Sequence, residues 1–141
     1  MSMFKSLSKI GAGIFLAALF EIGSSSAASA QTVTTNFMVF NSFGSAITLD
    51  SASCSPNASI SAPFSIGNGS SASFSATSSA GSLLCTVRYQ NGSNGCQFQV
   101  AVNVVGGNAI GNAYKGGSGR PTCNYSSFPG TGAWSGSFTM Q

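Results

Sequence analysis

Ionisable chemistry is what this sequence has least of. Of 141 residues, 5% are charged: five Lys or Arg, two Asp or Glu, and no His. An average soluble protein carries about 25%. Without His there is no Ser-His-Asp or Cys-His relay. Glycoside hydrolysis by paired side-chain carboxylates needs two acids, and past residue 30 the only one is Asp50. A Ser–Lys dyad through Lys115 is formally available, but no local signature surrounds that residue. A metal would find Asp50, amides and backbone oxygens and nothing else. No enzymatic activity, no cofactor and no metal site is therefore expected. Nucleic acid is excluded as a partner too. Phosphate binding needs clustered Lys and Arg, and Arg88, Lys115 and Arg120 are spread along the chain.

Long apolar runs are also missing. The longest, IGAGIFLAALF at 10–20, is shorter than the roughly 20 residues that cross a bilayer. No later segment is apolar enough to span a membrane. Lys5 and Lys9 precede the run, and SSSAASA at 24–30 follows it. Basic, apolar, then small residues is the order of a secretory signal peptide, with cleavage expected after Ala30 and Ala28 as the alternative. Glu21 raises a pilin-type leader, but no Gly stands in that register. Residues 1–30 are read as a leader and 31–141 as one domain, secreted to an extracellular or periplasmic space.

What the chain does have is cysteine, serine and alternation. Cys54, Cys85, Cys96 and Cys123 are even in number in a small secreted domain, which reads as two disulfides. Cys85 and Cys96 flank a hairpin loop near Asn91–Gly95. With the loop centred there, Cys85 faces about residue 100, out of register with Cys96. Of the three possible connectivities this disfavours the one with Cys85–Cys96; of the two that remain, Cys54–Cys85 with Cys96–Cys123 is the one expected.

Period-two alternation runs through most of the remainder. In 32–41, Val33, Thr35, Phe37 and Val39 share one face, Met38 and Phe40 the other. Ile47 and Leu49 alternate with Thr48 and Asp50. Ile60, Ala62, Phe64 and Ile66 alternate through 58–66, with Pro63 marking an edge or bulge. Ala72, Phe74 and Ala76 alternate with serines. The clearest hairpin is 83–90 with 96–105, where Cys85, Val87 and Tyr89 share one face, and Cys96, Phe98, Val100, Val102 and Val104 share another. A short strand is expected at 109–114, and 133–140 closes the chain. Seven to eight short strands predict an all-β fold: a small antiparallel β-sandwich or jelly roll, braced by disulfides. Serine-rich faces without Lys leave free edges open to self-association through strand addition. In plan, a leader followed by a small cystine-bearing sandwich, the chain resembles aegerolysin-like secreted proteins and chaperone–usher pilus subunits. A pilus subunit would need a penultimate aromatic, and this chain has Met140 there.

The segment 114–134, YKGGSGRPTCNYSSFPGTGAW, reads as a long loop. It gathers Lys115 and Arg120 with Tyr114, Tyr125, Phe128 and Trp134. Rings of this kind stack on sugar faces or sit at a lipid headgroup boundary. These six are the candidate ligand-binding residues of a secreted, non-enzymatic binding module for glycan or lipid headgroups. A structural subunit of a surface assembly, pilin-like or adhesin-like, is the alternative; stretch 32–41 would then add to a neighbour as a strand. A membrane-active sandwich toxin is a third reading. Arg88 and Asp50 are read as an outward solvated charge and a turn cap.

Overall fold

The computed structural model describes residues 31–116 and 119–141. The leader expected at 1–30 lies outside the described residues. Nine strands form two sheets, and no helix occurs among the described residues. In chain order they are β1 (Val33–Asn41), β2 (Ile47–Ser55), β3 (Ser65–Ile66), β4 (Ser71–Ser78) and β5 (Ser82–Asn91), then β6 (Asn94–Asn103), β7 (Gly107–Lys115), β8 (Cys123–Gly130) and β9 (Ala133–Met140). One sheet, sheet A, has the order β4-β1-β9-β8; the other, sheet B, has β3-β2-β5-β6-β7. All pairings are antiparallel except β1 with β9.

Alternation decides which residues meet between the sheets. Val33, Thr35, Phe37 and Val39 of β1 are buried, while Met38 and Phe40 stand on the outer face. Sheet B sends in Cys85, Val87 and Tyr89 from β5 and Phe98, Val100 and Val102 from β6. Aromatic rings bridge the gap: Phe98 and Phe138 lie 4.9 Å apart, and Phe74 and Tyr89 lie 6.4 Å apart. Cys54 pairs with Cys85 and Cys96 with Cys123, the expected pairing. Cys85 does face residue 100, as Val100. The first bridge joins neighbours within sheet B; the second ties β6 to β8 across the sandwich. On that side the sheets draw close, since a Cβ on Gly111 would stand 2.5 Å from the Cys123 carbonyl oxygen.

Three expectations change. The strand count is nine, because Cys123–Gly130, read as loop, pairs with β9 along its whole length. In 58–66 only Ser65–Ile66 pairs as strand; Ala58, Ile60 and Ala62 instead pack against the core from an irregular segment. Stretch 32–41 is a central strand, held by β4 on one side and β9 on the other. Both its edges are already hydrogen-bonded, so it is not free to join a neighbour.

Candidate functional site

The strands carry the six residues of 114–134 to different places. Tyr114 and Lys115 end β7 on the outer face of sheet B. Tyr114 lies flat across the neighbouring strand over Gly95, where a Cβ would meet its Cε1 at 2.7 Å. Its hydroxyl donates to Asp50 Oδ2 at 2.9 Å. Arg88 stands 5.2 Å and Lys115 5.5 Å from its ring centre. Lys115 Nζ also lies 3.9 Å from Asp50 and donates to Gln90 Oε1. Arg88 donates through Nε to Gln97 at 2.7 Å. Burial, the bond to Asp50 and its negative charge push the Tyr114 phenol up to about 12, against the opposing pull of Arg88. Below that pH the ring remains a neutral donor. Its ring and its hydroxyl are thus engaged within the protein, so it is not an open stacking platform.

Arg120 is exposed on the connection from β7 to β8, beside Gly116. Trp134 is buried in the core, with its ring 5.7 Å from Phe138. Tyr125 is half-exposed on β8, and its ring reaches toward Phe138 at 6.3 Å. Phe128 is 71% exposed on the outer face of sheet A. The six do not form one patch, and Phe128 is the one that offers a free aromatic face beside a cavity.

That cavity is a groove of about 500 Å³ on sheet A. Register explains its lining. Phe128 faces Ser135, Ser135 faces Asn36, and Asn36 faces Ser75 across four strands. The next row reads Ser126, Ser137, Met38 and Ser73. The groove therefore has a floor of hydroxyls and one amide, with Phe128 and Met38 as apolar walls. No charged residue lines it. An ionic ligand would find no counter-charge there, whereas a neutral or zwitterionic group would find hydrogen-bond partners beside an apolar ring.

The whole outer face of sheet A lacks charge. The charged side chains of residues 31–141 are Asp50, Arg88, Lys115 and Arg120. The first three sit on β2, β5 and β7 of sheet B, and Arg120 follows β7. They gather toward the end of the sandwich that holds the β5–β6 and β7–β8 connections. The opposite end collects the β4–β5, β6–β7 and β8–β9 turns. There Gly81 approaches Val104, and Gly106 approaches the Gly130 carbonyl. Sequence reading missed Asn36, Met38, Ser73, Ser75, Ser135 and Ser137 as a group. The signal was present in the alternation, which puts these residues on the face opposite the core, but their assembly depends on strand order.

No family model matches the chain, and no curated protein matches it in sequence. A solved structure does. The chain shares its fold with the lipid binding protein Nakanori. The likeness has a TM-score of 0.61 and covers 77% of this chain and 71% of that one, at 16% identity. At that identity the likeness is one of fold. Both sheets and both disulfides of the present chain stand on its own residues, and the two bridges fit an oxidising, extracellular-type environment.

Proposed function

We propose that this protein is a secreted, non-enzymatic module that docks on a lipid surface through the outer face of sheet A, with Phe128 entering the headgroup layer. The observation that carries the reading is Phe128 itself: it is 71% exposed beside a charge-free groove of about 500 Å³. An exposed ring with hydroxyls and an amide beside it suits the boundary between water and hydrocarbon. The lipid-binding protein of the same fold supports the choice of lipid over other surfaces. Export through the leader, with cleavage near Ala30, would bring the module to a compartment where its disulfides persist.

Moving a Phe ring from water into an apolar layer stabilises binding by about 2 kcal/mol, or roughly thirtyfold in partitioning. Phe128→Ser is thus expected to weaken co-sedimentation with phosphatidylcholine vesicles by about that factor. Raising the salt leaves binding by the unchanged protein intact, because no ion pair is made. Tyr114→Phe binds like the parent. Equal binding by Phe128→Ser would overturn this site. Binding to neutral glycans with none to vesicles would replace lipid by sugar as the occupant.

A further inference from the structure

We infer that the β6–β7 turn, Asn103–Gly106, is a preformed insertion element that passes below the headgroups into the hydrocarbon margin of the lipid layer. The inference rests on the lipid reading above but concerns a different element on the other sheet.

Four observations carry it. The first is exposure: Val105 is 81% exposed and Val104 36%. Tight turns favour Gly, Asn, Asp, Ser and Pro. A pair of β-branched residues at a hairpin tip runs against that preference, and such local conflicts mark function. Val104 leans on Gly81 of the β4–β5 turn, which leaves Val105, the more exposed of the pair, as the residue that a role in contact accounts for better.

The second observation is the backbone. Polar groups that enter hydrocarbon must already have partners, because no water is there to take them. Asn103 Oδ1 accepts from the Val105 N–H at 2.9 Å and from the Gly106 N–H at 3.0 Å. Asn103 N–H donates to the Gly106 carbonyl at 2.8 Å. The amide donors of Val105 and Gly106 are therefore closed by the turn's own first residue. These two donors need no water as partner.

The third is charge. The turns beside it, Ser79–Gly81 and Gly130–Gly132, hold no ionisable side chain. The cations and Asp50 lie toward the other end. No charged side chain of these turns has to be desolvated; the one charge that cleavage after Ala30 would bring to this end is the new amino terminus at Gln31, which lies beside Gly81.

The fourth is depth. The β8–β9 turn touches this end, and Phe128 stands two residues behind it, roughly 7 Å of strand. A tilted approach sets Phe128 at headgroup level while Val105 leads. Peripheral apolar groups enter such interfaces by roughly 5–10 Å, which matches this offset.

The test places a reporter at the apex. Val105→Trp is mixed with phosphatidylcholine vesicles, with and without sterol, whose acyl chains carry bromine near the headgroup. Trp134 is buried in the core, so the parent supplies the baseline. The variant's emission is expected to shift to the blue and be quenched well beyond the parent's. Val104→Asp with Val105→Asp is expected to lower the bound fraction roughly tenfold or more, with circular dichroism and melting unchanged. If the protein co-sediments while the Val105→Trp variant is quenched no more than the parent, the insertion inference falls and the docking reading stands. If the parent binds none of these vesicles, nor vesicles with phosphatidylserine, both fall.

Discussion

Tyr114 reads as a ligand-binding ring in the sequence and as packing in the structure, and a double-mutant cycle with Gly95 separates the two roles. Gly95 has no left-handed backbone, so alanine meets no backbone penalty there. It does meet the ring: the new methyl would lie 2.7 Å from Cε1 and 2.8 Å from Cζ. Tyr114 must swing away, giving up its bond to Asp50 and its two cation contacts. A hydrogen bond to a charged group is worth about 1.5–3 kcal/mol, and exposed cation–π contacts about 0.5–1 kcal/mol. Part of this is regained from water, so Gly95→Ala should cost about 2 kcal/mol. In a Tyr114→Ala background the space is empty. Alanine there should be neutral or gain about 0.5–1 kcal/mol, since glycine weakens a strand. The expected coupling is about 2–3 kcal/mol, well above the roughly 0.5 kcal/mol within which independent sites add. Urea unfolding measures it as a shift in midpoint at constant slope. An equal cost in both backgrounds would refute the packing. Vesicle binding should survive both substitutions, because the proposed docking face lies on the other sheet. Its loss would return Tyr114 to the binding site.

Two further outcomes follow from the core and from the tyrosines. Thr35 Oγ1 and Trp134 Nε1 are buried without a hydrogen-bond partner on adjacent strands; Thr35→Val removes one of these orphans at constant shape and should raise the unfolding midpoint, by about 1 kcal/mol in stability, whereas a drop would mean the hydroxyl is engaged. Burial pushes the Tyr89 phenol up to about 12, and burial with Asp50 does the same for Tyr114, against 10.0 for a free phenol. Above pH 10 the unfolded chain loses these protons first, so stability is full below that pH and falls between about 10 and 12. Tyr89→Phe and Tyr114→Phe should each flatten that alkaline loss in urea midpoints measured across the range, and an unchanged profile would refute the assignment.

Much of the fold is legible because its faces alternate cleanly. Val33, Thr35, Phe37 and Val39 are spaced two apart, and all four are buried. The hairpin loop sets Cys85 against Val100, which leaves Cys96 to look elsewhere for its partner. β8 is hidden for a physical reason. Its sequence, CNYSSFPG, pairs on one side only and reaches the core only at its rim, so it has no apolar face to betray it. The irregular segment before β3 misleads in the opposite sense. Ala58, Ile60 and Ala62 alternate and pack inward, yet they pair with no strand, and the segment makes its first backbone–backbone bond to sheet B at Phe64, whose carbonyl accepts from the Leu49 N–H. The site was harder still. Tyr114 reaches Gly95 and Asp50 from another strand, past a bulge at Gly95/Cys96 that one-dimensional spacing does not display. The groove draws its lining from all four strands of sheet A, whose order follows from topology alone.

The scarcity of charge and the placement of what remains bear on the same question. A protein that adsorbs by Coulomb attraction shows its cations to the surface, and salt releases it. Here Arg88 and Lys115 are held against a tyrosine and an aspartate on the outer face of sheet B, and the exposed Arg120 lies at the end away from Val105 and Phe128. The end that offers Val105 and Phe128 has no charged side chain to align with phosphate. On an anionic membrane the field would draw the opposite end toward the surface and hold the apolar end away. On the docking reading proposed above, the distribution favours neutral or zwitterionic lipid, with orientation set by burial of apolar side chains. The serine faces follow from the same constraint, since hydroxyls keep such a surface wet without giving it a sign.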